Sequence, residues 1–412
     1  MRMTFNRSSQ LVLVSAVSLL AAGLVTACGT LTTDFVFVSS AKAAGANSYG
    51  EIDVYEINSQ SGKMRTIPTS PFPSGGRNPV SESVSPDNTS LYVANQDDNS
   101  IVQFVIGSDG KLYPQNTVNT PGIFPVSIAT GGQFFFVADL YQPLSTCSPA
   151  APCSGSVAVF PILTAAQAKA LTPPEPPDTL ATAVVNTSIS ASYWPLSLPS
   201  NPAHILTPTA ITSAASGAYL YVTAYDATST GGYVFGFAVN GDGTLSPLNE
   251  GVPFPAGNHP SAIAASPDGS SVYVTDFANA DILAYTATNG LLTPVGGSPF
   301  TTGNQPSAVA VNGTGKYVYV TNAQDSNLSV FSSSGGVLTS LGTFITGSEP
   351  VAIGIDPSLN EYLYTANFLG NSVSGFQINA GTGLLLNSQN SPFGTNANPT
   401  AVAAIPHGAT KK

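Results

Sequence analysis

The chain has 412 residues, of which only 8% are charged, and 11 Lys and Arg against 22 Asp and Glu leave a formal net charge of −11. No run of basic residues occurs, so the electrostatic footprint of a nucleic-acid binder is missing and nucleic acid is excluded as a partner. Abundant Gly (39) and Pro (33) beside 9% aromatics describe a turn-dense β protein.

At the N-terminus, Arg2 and Arg7 supply a basic start before the apolar stretch LVLVSAVSLLAAGLV (11–25), which is too short to span a bilayer comfortably. Residues 1–27 are expected to be an export signal outside the fold. The phrase LVTACG resembles the lipobox of bacterial lipoproteins, in which cleavage leaves a cysteine to carry lipid. Here that residue would be Cys28, with 28–33 as a tether and the membrane as a partner. The alternative is a plain secretory signal with an incidental cysteine.

A threefold mark then repeats along the chain. The first is a proline followed by small and β-branched residues, at Pro79, Pro125, Pro208, Pro260, Pro306, Pro350 and Pro399. The second is a short β-rich phrase: VFVSS (36–40), LYVAN (91–95), FFVAD (135–139), LYVTA (220–224), VYVTD (272–276), VYVTN (318–322) and LYTAN (363–367). The third is a strand closing on an aromatic, at Tyr55, Phe104, Phe160, Phe237, Tyr285, Phe331 and Phe376. Five of the six intervals between prolines are 44–52 residues, the size of a four-stranded propeller blade. Turns such as SPDG (266–269) join the first two strands, and a fourth strand starts after a glycine, as at GKL (110–112).

The first copy lacks an anchor proline, and the last consists of an anchor strand alone. Pairing 399–405 with 35–39 would complete one split blade and hide two sheet edges. The expected fold is all-β, a closed seven-bladed propeller over 34–407 with a tail at 408–412. Blades are numbered 1 to 7 from Pro79, with strands A to D running from axis to rim.

The 83-residue interval between Pro125 and Pro208 holds two insertions in blade 2. In the first, at about 140–155, Cys147 and Cys153 flank a turn containing Pro149 and Pro152 and are expected to form a disulfide in an oxidising compartment. No metal site is expected, since no further ligand lies near them. The second, at about 161–206, offers a short helical piece at AAQAKA and the aromatic pair Tyr193 and Trp194, which could stack on a ligand ring over the mouth or pin the insertion to the barrel.

The phrases VYVTN and VYVTD, the SPDG turns and the recurrent SPF…G…P between blades resemble lactonase-type seven-bladed propellers, which include bacterial 6-phosphogluconolactonases and share a fold with YVTN-repeat surface proteins. The resemblance spans roughly residues 34–407. It implies a propeller and, as an activity, hydrolysis of a sugar lactone. The catalytic signature associated with that family combines an Arg-His pair at an inner strand with a glutamate after a second strand. This sequence has Asn78, Phe124, Thr207, His259, Gln305, Glu349 and Asn398 before its anchors and no Arg-His dipeptide.

From the residues themselves, the starts of strands A and the ends of strands B should ring one mouth of the central channel. His259, Gln305 and Glu349 stand there, with Asp276, Asn322 and the other Asn and Asp residues that close the B strands. Such Asn and Asp side chains commonly cap turns instead. Three residues after the anchor proline the series reads Glu82, Ile128, Ile211, Ile263, Val309, Ile353, Val402, so one carboxylate replaces a core aliphatic. Glu82 must be bonded to neighbouring hydroxyls or blades, or else be a carboxylate of raised pKa able to act as a base. Arg77 is the nearest cation in sequence.

Two readings follow. In one, an envelope-anchored, monomeric propeller binds a small-molecule or protein ligand at its mouth. In the other, a lactone hydrolase uses Glu82, His259 or Glu349 to activate water and Arg77 to hold the oxyanion, with Gln305, Asp276, Asn322 and Trp194 contacting the ligand. No cofactor is expected. If Cys28 carries lipid, the exported protein should partition with membranes and Cys28→Ser should release it or leave an uncleaved precursor. Recovery of the unaltered protein in soluble form with a free Cys28 thiol would end the lipoprotein reading.

Overall fold

The structure, a computed structural model, describes residues 32–41, 48–58, 61–356 and 362–406. Cys28, the expected signal and the 408–412 tail lie outside the described residues. Seven antiparallel sheets are present. Their inner strands are Pro79–Val84, Ile123–Gly131, Leu206–Ala214, Pro260–Ala265, Pro306–Val311, Pro350–Ile355 and Asn398–Pro406. Each packs against the next, and the last returns to the first, so the ring is closed.

The repeated phrase works through register. In every blade the aromatic of strand C faces the first residue of the second-strand phrase: Val36 opposite Tyr55, Leu91 opposite Phe104, Phe135 opposite Phe160, Leu220 opposite Phe237, Val272 opposite Tyr285, Val318 opposite Phe331 and Leu363 opposite Phe376. Such cross-strand pairs specify the pairing, because a one-residue slip would turn each aromatic to the other face. The anchor prolines lie opposite the last residue of the phrase, as Pro79 does Asn95 and Pro306 does Asn322, and a bulge follows each of them. The proline therefore sits where its missing N–H removes no ladder bond, on the edge strand that faces the channel.

The tyrosine in LYV and VYV has its own reason. The second residue of each phrase is fully buried between blades, as Phe37, Tyr92, Phe136, Tyr221, Tyr273, Tyr319 and Tyr364. Burial of the ring supplies hydrophobic contact, but a buried hydroxyl needs a partner. Tyr221 and Tyr319 donate to the carbonyls of Gly290 and Gly383 in the next blade at 2.9 and 3.1 Å, and Tyr92 donates to that of Asp178 at 2.6 Å. The SPF phrase is structural too. Ser70, Ser298 and Ser391 accept from the strand-C amides of Val54, Ala284 and Gly375 at 2.9–3.0 Å, where strand D is interrupted.

The split blade is assembled as expected. Strand Thr32–Ala41 pairs antiparallel with Asn398–Pro406 on its inner side and with Glu51–Asn58 on its outer side. Thr400 ties this seam to blade 1 by donating to the carbonyl of Pro79 at 2.7 Å.

The blade 2 insertions are ordered. Cys147 and Cys153 form a disulfide with Cα atoms 5.5 Å apart. Helix Ala165–Ala170 starts at a capping box made by Thr164 and Gln167, and the chain then packs on blade 1, where Thr89 donates to Asp178 at 2.7 Å and Asn116 to Glu175 at 2.8 Å. Trp194 corrects one expectation. Instead of standing over the mouth it forms, with Pro195, the outermost strand of blade 2, opposite Val157, and is buried among Phe136, Val159 and Phe235. Its large apolar surface pins the insertion to the barrel and is closed to a ligand.

Because the ring closes only through Asn398–Pro406, removing residues 398–412 should expose the edges of two strands and yield aggregated or protease-sensitive protein. A truncated protein that melts with the parent's cooperativity and midpoint would refute closure as the source of stability.

Candidate functional site

The starts of the A strands and the ends of the B strands meet on one face. At four of the positions before the anchors the backbone is left-handed in a residue other than glycine: Asn78 (φ 54°), Phe124 (φ 60°), Gln305 (φ 54°) and Glu349 (φ 54°). This conformation is sparsely populated for such residues, and in three of them the carbonyl accepts from the amide of the residue after strand B, as that of His259 also does without it. Gln96, Ala323 and Phe368 make that bond to Asn78, Gln305 and Glu349 at 2.8–2.9 Å. Gln305 and Glu349 are thus placed at the mouth, half-buried, by the same rung.

Asp276 and Asn322 lie beneath this surface. Both are fully buried. Asp276 accepts from the amides of Asn258, His259 and Ala278 at 2.7–3.1 Å and from Asn279 Nδ2 at 2.7 Å. Asn322 accepts from Gly303 and donates to Asn327 and Ser329. They organise the loops that carry the mouth, and a ligand would meet those loops before reaching either side chain. Asp139, at the same position in blade 2, accepts from the amide of Gly122 at 3.2 Å, and burial pushes its carboxyl up to about 7 against its hydrogen bonds with Thr120 and Gly122.

His259 has the most developed surroundings of the mouth residues. Its ring stacks on Tyr225 with centroids 4.1 Å apart and planes at 28°, and Phe277 tilts against it at 5.7 Å. Nδ1 is enclosed without a hydrogen-bond partner. Phe124 and Tyr141 make a second aromatic contact, edge to face at 6.1 Å, at the mouth of blade 2. Blades 2 to 4 therefore line their side of the mouth with half-buried flat rings.

Arg77 and Glu82 are not brought together as a pair. Arg77 is engaged by Asp98, whose carboxylate accepts from the guanidinium Nε at 2.6 Å and from the Arg77 amide at 2.7 Å, and the Asp97 carbonyl takes a further bond at 3.0 Å. Hydrogen bonding to Asp98 raises the Arg77 pKa further. Topology places the other described cations, Lys63, Arg65, Lys111, Lys169 and Lys316, away from this face, on the opposite turns, the outer strands or the blade 2 insertion.

Glu82 lies at the seam between blade 1 and the split blade. Its Oε2 accepts from the hydroxyl of Ser39 at 2.5 Å, and its Oε1 is sealed from solvent without a hydrogen-bond partner. Burial pushes the carboxyl up to about 8, against the pull of the Ser39 hydroxyl and of the Ala403 and Ser39 amides. Ser39 occupies the place that Ala94 and Ala138 take in blades 1 and 2, so the seam exchanges one aliphatic contact for a hydroxyl–carboxyl pair.

One arrangement escaped the sequence reading. His204, in the second insertion, is held through Nδ1 by Asp226, the residue two past the blade 3 phrase. The available signal was a histidine shortly before an inner strand and an aspartate at the end of strand B of the same blade, 22 residues apart. Among the described residues no group of three or more His, Cys, Asp or Glu is arranged to hold a metal ion.

Fold and mouth together define a closed seven-bladed propeller with a polar, aromatic-lined channel entrance. The model of the family "Lactonase, 7-bladed beta-propeller" matches residues 35–171 and 291–403, and the chain belongs to that family. Solved structures agree in fold. A proposed 6-phosphogluconolactonase from Bacteroides fragilis NCTC 9343 is similar with a TM-score of 0.69 at 19% identity, over 91% of this chain and 99% of that one. One from Bacteroides uniformis ATCC 8492 gives 0.66 at 20%, over 90% and 99%. The periplasmic gluconolactonase PpgL of Pseudomonas aeruginosa gives 0.68 at 17%, over 90% and 99%. No curated protein matches the sequence.

The Glu82 seam has a measurable signature. A carboxyl whose folded pKa is raised from 4.5 to about 8 favours the folded state fully below pH 4.5 and loses that contribution as pH rises towards 8. At about 1.4 kcal/mol per unit, the loss is on the order of a few kcal/mol. Glu82→Ile, which restores the aliphatic of the other blades, should therefore gain stability over the parent at pH 8 and much less at pH 5, measured by denaturant unfolding at both. A difference that does not change with pH would show that the Glu82 carboxyl does not titrate across this range.

Proposed function

We propose that this lactonase-family propeller recognises a small, uncharged ring compound of the lactone or sugar class at its channel mouth, and that it does so outside the cytoplasm, tethered to the envelope through Cys28. The observation that carries the ligand class is the charge of the mouth. Arg77 is its one cation among the described residues and is already paired with Asp98, while Asp97 and Glu349 add negative charge on the same face. A phosphorylated sugar lactone would bring about two further negative charges to a site with no free cation to receive them. A neutral ring needs no such partner and can lie on the Tyr225–His259 stack, with Gln305 and Glu349 as hydrogen-bonding groups.

Hydrolysis of that ligand is the second reading, supported by family membership and by the name of the Pseudomonas neighbour. On the first reading the protein binds through its mouth without turnover, as a monomeric receptor or scaffold. The missing Arg-His signature and the engagement of Arg77 favour binding, and the family favours chemistry.

The purified protein should bind D-glucose and hydrolyse or bind glucono-δ-lactone in preference to the 6-phospho forms by at least about tenfold, as like charges meeting at short range would dictate. Calorimetric titration with D-glucose and glucose 6-phosphate, beside a hydrolysis assay on both lactones, reads this directly. Tighter binding or faster turnover of the phosphorylated compounds would overturn the uncharged-ligand reading.

A further inference from the structure

We propose that His204 and Asp226 form an oriented imidazole–carboxylate base at the outer edge of the mouth, able to activate water against the carbonyl of a lactone. The carboxylate is unusually well prepared. Asp226 is buried and accepts from the amide and hydroxyl of Thr228 at 2.8 and 2.6 Å and from the amide and hydroxyl of Ser229 at 3.2 and 2.5 Å, in addition to His204 Nδ1. Against the cost of burial, these bonds hold it well below the ordinary carboxylate range, so it stays ionised and fixes the imidazole as an Nδ1 donor.

The backbone that carries the imidazole is held as well. The carbonyl of His204 accepts from Ser154 Oγ at 3.0 Å, the same hydroxyl accepts from the amide of Leu206 at 3.1 Å, and Ser154 directly follows Cys153 of the disulfide. The amide of Ala227 donates to the carbonyl of Ile205 at 2.8 Å. Three segments found in blades 2 and 3 thus converge on one histidine whose side chain keeps 27% of its surface exposed. With Nδ1 engaged, Nε2 is the nitrogen left for chemistry. The neighbouring rung of the sheet pairs Thr207 with Tyr225, the tyrosine that stacks on His259, so the dyad stands one residue along the strand from the aromatic platform, on the other face of the sheet.

In the step proposed, a water oxygen bonds to the lactone carbonyl carbon while His204 Nε2 takes its proton. The tetrahedral intermediate then collapses with cleavage of the ring carbon–oxygen bond, and the imidazolium Nε2–H returns the proton to the departing alkoxide. No metal, oxidant or co-reactant enters. The substrate half rests on the lactone reading of the mouth, whereas the dyad itself does not.

The test therefore uses two substrates, glucono-δ-lactone and p-nitrophenyl acetate, with the parent, His204→Gln, His204→Ala and Asp226→Asn. Rates should fall by about 10²-fold in the histidine variants, the usual contribution of a positioned base, with melts close to the parent's. Free imidazole should restore part of the His204→Ala rate, which a purely structural clasp would not show. Asp226→Asn should lower the rates as well, and if that variant fails to fold the rescue of His204→Ala still decides. A parent that turns over the ester through His204 but leaves every lactone intact supports the dyad and refutes the lactone reading. Ester and lactone rates unchanged in His204→Gln, or a parent inert to both substrates, would overturn the dyad.

Discussion

Everything in this molecule depends on one pairing across the seam, between Thr32–Ala41 and Asn398–Pro406. A propeller blade shares its faces with its neighbours, so an open ring would leave two apolar faces and two strand edges in water. Closing it makes the position of each blade a consequence of all the others. That rigidity is what allows seven loops from seven blades to define a single mouth, and what lets half-buried aromatics such as Tyr225 and His259 hold a fixed stack at the surface. Glu82 and Ser39 lie on this same seam, where one buried carboxyl replaces an aliphatic contact of the other blades.

The fold was legible in the sequence because propeller geometry is periodic. Proline, β-rich phrase and aromatic recur at blade spacing, and the structure shows why each is needed: a bulge after the proline, a tyrosine hydroxyl reaching the next blade, an aromatic opposite the head of the phrase. Asp276 and Asn322 were visible as strand-ending polar residues, and their service beneath the surface follows from the ordinary turn chemistry of Asn and Asp.

The site was legible only in part, for a physical reason. Side-chain pairs made across irregular loops leave no period. Arg77 was noted for its closeness in sequence to Glu82, yet an ion pair with Asp98 was available one loop away and lies nearer. Trp194 was noted with Tyr193 as an aromatic pair that could face a ligand or pin the insertion, and a blade missing its outer strand offered it a fully apolar berth. The His204–Asp226 pair depends on two loops and a disulfide segment meeting, a coincidence in space that no spacing in the chain announces.

What unites these observations is a face with flat rings, acidic side chains and one cation, already paired, among the described residues, carried on a lactonase-family ring. The most direct measurement is a crystal structure of the protein with D-glucose or glucono-δ-lactone bound. The account predicts the sugar ring against Tyr225 and His259, with His204 on its outer side and Arg77 still paired with Asp98. A ligand seated on the opposite face, or one that draws Arg77 away from Asp98 to hold its charge, would contradict it.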